Sequence, residues 1–538
     1  MSGVASTEAN RDASVSSCYY TERLEIEIQK LTLKMVKGTE AVTEYQPLLS
    51  DSNMKLPNKS LLLAICAVGI GGSFQCGYNM SIMNAPTKSI QNFINQTWLG
   101  RYEIDITEHM LTLLWSIIVS IFTLGGLIGA TFGGKLAIKL GRKGALLINN
   151  TFALLAALLM GLSYPSGVYE LLIVGRFLSG INAGVGVCVQ PLYLGEIAPR
   201  AFRGAVAMGT SIFITGGILV GQVIGLKELL GRDDLWPVLL STTSIPAMMQ
   251  LLILPWFPES PRYLLIERGD SDACTNALRW LHGQQDYSAE WEDMERERIS
   301  SQGQEPMSPW QLVRNPTLRW QLTTSVLLNG INAIYFYASY VFGQSGIPAS
   351  KIPYVTLGTG ACECLTALTC GMLIESLGRR VLIIGGYSLM TFWCACLTLT
   401  LTLQDISPLV PYLSMACVFA FILSFGLGPG GVTNILNGEL FTQTSRSAAY
   451  MIGGSINWLS LFIIGILFPF IVNGLMQYCF LVFLVICCVV ATYIFFMVPE
   501  TKNKTFLEIQ AEFQSKYERK NKTRNSRGAG ITLCSVSR

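Results

Sequence analysis

Residues 111–143 read LTLLWSIIVSIFTLGGLIGATFGGKLAIKLGRK, and the first 23 of them, 111–133, carry no charged side chain. At about 1.5 Å per residue, a helix of that length outreaches the ~30 Å hydrocarbon layer of a bilayer. The run ends in a basic turn, Lys139-Leu-Gly-Arg142-Lys143. Another long apolar run ends in Ser376-Leu-Gly-Arg379-Arg380, with Arg379 lying 237 residues after Arg142. A membrane helix closed by a basic turn, written twice, predicts a multi-span protein built from two related halves.

The composition agrees. Of 538 residues, 51% are hydrophobic and only 14% charged, against roughly 25% charged in soluble domains. Mean hydropathy is +0.43. A soluble 59.0 kDa chain cannot hide that much apolar surface. A net charge of +3 and a pI near 8.1 are too mild to suggest nucleic acid as a partner. Most of the 15 cysteines sit inside apolar runs, where a thiol behaves as a small hydrophobe, so no disulfide framework is read. Two histidines, His109 and His282, leave little room for a metal site, and no cofactor is expected.

Twelve apolar runs are read, near 60–80, 111–133, 144–164, 170–190, 204–226, 236–257, 320–342, 354–376, 381–403, 409–437, 448–473 and 477–498. Lys and Arg gather in alternate loops: Lys135 to Lys143, Arg200 with Arg203, Arg379 with Arg380, then Arg446. The positive-inside rule makes that side cytoplasmic and places both termini there. The expected organisation is a cytoplasmic segment 1–59, a six-helix half 60–257, a charged helical linker 258–317, a second six-helix half 318–498 and a tail 499–538. The first segment has no basic stretch leading into a short apolar one, so a cleavable signal peptide is not expected. The sequon at Asn95 falls in the outer loop after span one, where glycosylation is expected.

The repeat extends beyond the basic turns. Gly195-Glu196 with Arg203 recurs as Gly438-Glu439 with Arg446, 243 residues on, and Pro258-Glu259-Ser260 recurs as Pro499-Glu500-Thr501, 241 residues on. Two parallel six-helix halves imply a pseudo-two-fold axis along the membrane normal, with substrate near the midplane between them. The charges also suggest a latch. Arg142, Glu196, Arg203, Glu259 and Arg262 in one half, and Glu375, Arg379, Arg380, Glu439, Arg446 and Glu500 in the other, lie at the cytoplasmic helix ends. Charge-assisted bonds there would hold that face closed and break as it opens.

Taken with Gly77-Tyr78-Asn79, Gly175-Arg176-Phe177, Pro191-Leu-Tyr-Leu-Gly-Glu196, Pro258-Glu-Ser-Pro-Arg262, Gly330-Ile-Asn332-Ala333, Gly428-Pro429-Gly430, Asn457-Trp458 and Val498-Pro-Glu-Thr501, the chain strongly resembles the facilitative hexose transporters of the sugar-porter family. The matching stretches run from about 60 to 510. Gly385-Gly-Tyr-Ser-Leu-Met390 and Phe421-Ile-Leu-Ser-Phe-Gly426 resemble its class II branch, which includes fructose, urate and member-eleven types. The resemblance implies an all-α major facilitator fold, alternating access and a small sugar as partner. It implies substrate contacts at Asn332, Asn457 and Trp458, and gate aromatics at Phe336 and Tyr337. Amides suit sugar hydroxyls, and an indole covers a C–H face while offering one N–H.

Several positions depart from the glucose-carrier pattern: Ser211 and Asn434 replace a glutamine and a tryptophan, Glu363 an asparagine, and Gly426 an acid. Ser211, Asn434 and Glu363 are kept, with Cys76, as candidate site residues of a fructose-accepting or broader cavity. Before Gly330 the chain is short by about six residues relative to the family, about 9 Å of helix. Asn79 stands where proton-coupled relatives carry aspartate; an amide holds no coupled proton, so uniport is expected. Glu363, ionisable within a span, is the counter-indication. Two alternatives stay open: an organic-anion (urate-like) uniporter of the same fold, and a non-transporting sensor. No nucleophile–base constellation suggests an enzyme. Glu44-Tyr-Gln-Pro-Leu48-Leu49 resembles an acidic dileucine signal read by clathrin adaptors, giving an endosomal pool beside the plasma membrane.

Overall fold

The computed structural model describes residues 59–199, 203–283, 287–301, 307–315, 318–329, 351–403, 409–441, 443–475 and 478–502, with a few single positions outside these stretches. Among the described residues the regular structure is helical, and eleven helices are long and apolar enough to cross a bilayer.

The first half holds α1 (Lys59–Ser81), a short α2 (Thr87–Tyr102), α3 (Glu108–Leu140), α4 (Arg142–Ser163), α5 (Tyr169–Ile197), α6 (Arg203–Ile224) and α7 (Trp236–Trp256). A linker follows with α8 (Ser271–His282), α9 (Ser288–Ser301) and α10 (Pro309–Arg314). The second half holds α11 (Arg319–Asn329), α12 (Ile352–Leu377), α13 (Arg379–Thr402), α14 (Val410–Leu427), α15 (Pro429–Glu439), α16 (Gln443–Leu475) and α17 (Cys479–Met497). The expected seventh span begins as α11; residues 330–347 lie outside the described residues.

Small residues bring the helices together. A Cβ on Gly180 of α5 would stand 2.1 Å from the Phe122 carbonyl oxygen of α3, so the two backbones nearly touch. Lipid supplies no hydrophobic drive between helices, and such approach gives the dispersion contact that replaces it. Large side chains such as Leu158, Met372, Val485 and Phe496 instead stand outward and exposed, where a bilayer covers them.

Helix α1 contains a π turn, Ile70–Phe74. Such turns disturb the regular backbone ladder. Gln190 of α5 meets it: its Oε1 accepts from the Ser73 backbone N–H and, at 2.6 Å, from the Ser73 hydroxyl. Gln250 of α7 donates to the carbonyls of Ala67 and Val68, each at 3.2 Å. The halves meet where α3 packs on α16 and α6 on α12.

Candidate substrate-binding site

Between the halves lies a cavity of about 620 Å³. Helices α1, α3, α5 and α6 supply one wall, and α12, α14, α15 and α16 the other. It reaches from Tyr450 and Pro429 at one end to Asn84, Trp115 and Thr356 at the Asn95 side of the bundle. That volume lies in the range of small-molecule sites.

Trp458 lines it, 1% exposed and with no hydrogen-bond partner for its indole Nε1. The ring is wedged by α3: Phe122 meets it edge-on at 5.6 Å, and a Cβ on Gly126 would stand 2.4 Å from the indole. A buried indole N–H usually finds a partner. This one belongs to a side chain that lines the cavity.

Five of the sequence-expected site residues come together here: Cys76, Ser211, Glu363, Asn457 and Trp458 all line the cavity. Ser211 also ties the halves together, its hydroxyl donating to the Gly430 carbonyl at 3.1 Å. Glu363 is 7% exposed, an acid within a membrane-spanning helix. Asn434 falls in α15, one turn after Gly430, but its side chain lies outside the described residues, as do those of Arg203 and Glu375. Asn332, Phe336, Tyr337, Glu44, Leu48 and Leu49 lie wholly outside them. Asn95 is exposed on α2. Arg176 and Gln222 also line the cavity; sequence reading gave neither a role, although a basic residue inside an apolar run was a signal for Arg176.

On the linker side the charges form two knots, one per half, built on the same plan. Gly141 and Gly378 precede α4 and α13 with φ of +83° and +88°, where L side chains are strained. A Cβ at Gly141 would stand 2.3 Å from Glu259 Oε2, and at Gly378 2.8 Å from Glu500 Oε2. Those carboxylates cap the next helix. Glu259 accepts from the backbone N–H groups of Arg142 and Lys143, both at 3.0 Å. Glu500 accepts from Arg379 and Arg380, both at 3.0 Å. A negative charge on otherwise unpaired N–H groups at the positive end of a helix dipole is stabilising.

The arginine side chains continue each knot. Arg142 Nη2 donates to Glu196 at 2.9 Å and to Glu267 at 2.6 Å, and Arg379 Nη2 donates to Glu439 at 3.0 Å. Glu196 also accepts from the Ser260 hydroxyl, and Glu439 from the Thr501 hydroxyl at 2.6 Å. Arg262 pairs with Asp293 and Glu297 of α9, a contact within the linker. Each of these contacts stays within one half and the linker or tail beside it. Arg446 stands nearer the seam: it lines a small space with Pro191, Gly195 and Glu439, and Glu297 and Glu196 attract it.

The Sugar (and other) transporter family model matches residues 64–513. Facilitated glucose transporter member 11 of solute carrier family 2 from Homo sapiens is 50% identical over 463 residues, covering 85% of this chain and 93% of that protein. Member 9 from Mus musculus is 48% identical over 460 residues, covering 84% of this chain and 86% of its own. Member 5 from Equus caballus is 44% identical over 459 residues, covering 84% and 92%. Among solved structures, the proton:xylose symporter XylE bound to 6-bromo-6-deoxy-D-glucose superposes with a TM-score of 0.73. That match covers 85% of this chain and 100% of that one at 20% identity, a likeness of fold. With its multiple membrane spans and its internally repeated helix caps, the chain belongs to the sugar transporter family of the major facilitator superfamily, in the class II branch, and is a transporter rather than an enzyme.

Proposed function

We infer that this protein is a facilitative hexose carrier, moving fructose, glucose or both down their gradient by alternating access at the plasma membrane. The observation that carries the reading is the cavity between the halves, lined by Trp458 and Asn457. A hexose offers that wall hydroxyl acceptors and an apolar C–H face.

Uniport follows from Asn79. Its amide donates to the Gln75 carbonyl at 2.9 Å and has no proton to exchange at physiological pH. The basic linker side is the cytoplasmic one, with both termini there and Asn95 outside, available to a glycan. The linker-side charges and Arg446 act as the latch that holds that face closed. Clathrin adaptors are the partners proposed for Glu44, Leu48 and Leu49; replacing both leucines by Ala should enlarge the surface pool.

The test is uptake of labelled fructose and glucose into proteoliposomes. Saturable entry that stops at equilibrium, with or without an inward proton gradient, supports the reading. Accumulation above equilibrium under that gradient overturns uniport, and a folded protein with no flux favours a sensor. A parallel variant lengthened by six residues before Gly330 reads the effect of the short seventh span.

A further inference from the structure

The two charge knots stay on their own sides of the seam, but two methionines cross it. Met208 of α6 belongs to the first half, yet it is buried in the core of the second, in one cluster with Cys370, Ile374 and Val432. Met451 of α16 does the reverse, buried in the core of the first half with Ala137, Val185 and Cys188. Each meets a bare glycine of the other half. A Cβ on Gly134 of α3 would stand 2.4 Å from Met451 Sδ, and one on Gly371 of α12 would stand 3.8 Å from Met208 Cβ. The Met208 methyl runs on to Gly431 of α15, where a Cβ would stand 2.3 Å from its Cε. The exchange is written into the repeat. Gly371 lies 237 residues after Gly134, the offset of Arg379 from Arg142, and Met451 lies 243 after Met208, the offset of Arg446 from Arg203.

Both methionines lie about one turn nearer the linker than a residue that lines the cavity, Met208 than Ser211 and Met451 than Gly454. They therefore stand between the cavity and the linker side. An unbranched thioether adapts its shape, and a glycine leaves a bare backbone from which it can withdraw and to which it can return. We propose that Met208 and Met451 form the linker-side gate of the transport cycle: each half plugs the other's core while that face is closed, and both plugs withdraw when it opens. Apolar plugs close a passage by excluding water and need no titratable group to do so. This rests on alternating access at the cavity, and it supplies a seal across the seam that the charge knots, each within its own half, do not make.

Spin labels at Lys139 and Ser376 read the linker-side opening of the full chain without substrate, and labels at Tyr102 and Tyr412 read the other end. Met208→Ala and Met451→Ala each remove contacts made only in the closed form, so each should raise the ratio of open to closed linker-side distances by about tenfold or more. Met208→Leu and Met451→Leu keep the volume and should stay near the wild type. The glycines should differ from each other. Gly134→Ala drives a methyl into Met451 and should open the face, whereas Gly371→Ala meets Met208 at ordinary contact distance and should not. A merely structural role would lower the melting temperature of these variants without moving the linker-side distances. Should an alanine variant of either methionine fail to fold, the contrast between Gly134→Ala and Gly371→Ala still decides. Unchanged linker-side distances in Gly134→Ala and in the methionine variants overturn the gate while leaving alternating access standing. If fructose moves neither end in the wild type, alternating access itself fails and the gate falls with it.

Discussion

Replacing Arg142 by Gln should cost this protein far more than an ordinary surface ion pair. The Arg142 side chain is 0% exposed and Glu196 1% exposed, while Glu267 is 16% exposed. The guanidinium also stands 4.7 Å from the centre of the Tyr263 ring. Removing it takes the guanidinium away from a fully buried carboxylate, which also accepts from the Ser260 hydroxyl. Stranding one partner of a buried pair costs about 3–5 kcal/mol, whereas exposed pairs are worth about 1 or less. A unit of roughly 150–250 residues loses about 2–4 °C per kcal/mol, so the melting midpoint should fall by roughly 10 °C. Intrinsic tryptophan fluorescence of the detergent-purified protein reads this. Arg379→Gln is the internal control: its partner Glu439 is 16% exposed, so its drop should be smaller. Arg142→Gln combined with Glu196→Gln should recover part of the loss, because the stranded charge is gone. A drop no larger than that of Arg379→Gln, or no recovery in the double variant, would refute the reasoning.

Three further outcomes are expected. Trp458→Ala should cut fructose uptake at least tenfold at unchanged surface amount, and Trp458→Phe, which keeps a ring but loses the N–H, should fall between; uptake per surface molecule measures both. Burial pushes the Cys274 thiol of α8 up to about 12. At pH 8 the thiolate is then about a thousandfold scarcer than for an unshifted thiol, and alkylation of folded protein, followed by peptide mass, should stay slow and rise with pH. Asn95→Gln should collapse the glycan-broadened gel band to the size left by deglycosylation; an unchanged band removes Asn95 as the acceptor.

The spans and the two-half design were legible because lipid imposes them: apolar length, basic loop ends and a repeat near 240 residues all survive in the sequence. Arg142, Glu196, Glu259 and their counterparts were legible through that repeat. Their geometry was not. That Glu259 caps α4 through backbone N–H groups, and that Glu267 joins from beyond Arg262, depends on how chain segments more than 100 residues apart fold back. The π turn at Ile70–Phe74 leaves no periodic mark and is held by Gln190, far along the chain. Arg176 stood in view within Gly175-Arg176-Phe177, but only the structure shows that it lines the cavity and donates to the Asn79 carbonyl.

The central claim is that two halves rock about a cavity open to one side at a time. Paired spin labels at Tyr102 and Tyr412 on the Asn95 side, and at Lys139 and Ser376 on the linker side, report both ends of the bundle by pulsed distance measurement. Saturating fructose should move the two distance distributions in opposite directions. Both ends widening together would contradict the account.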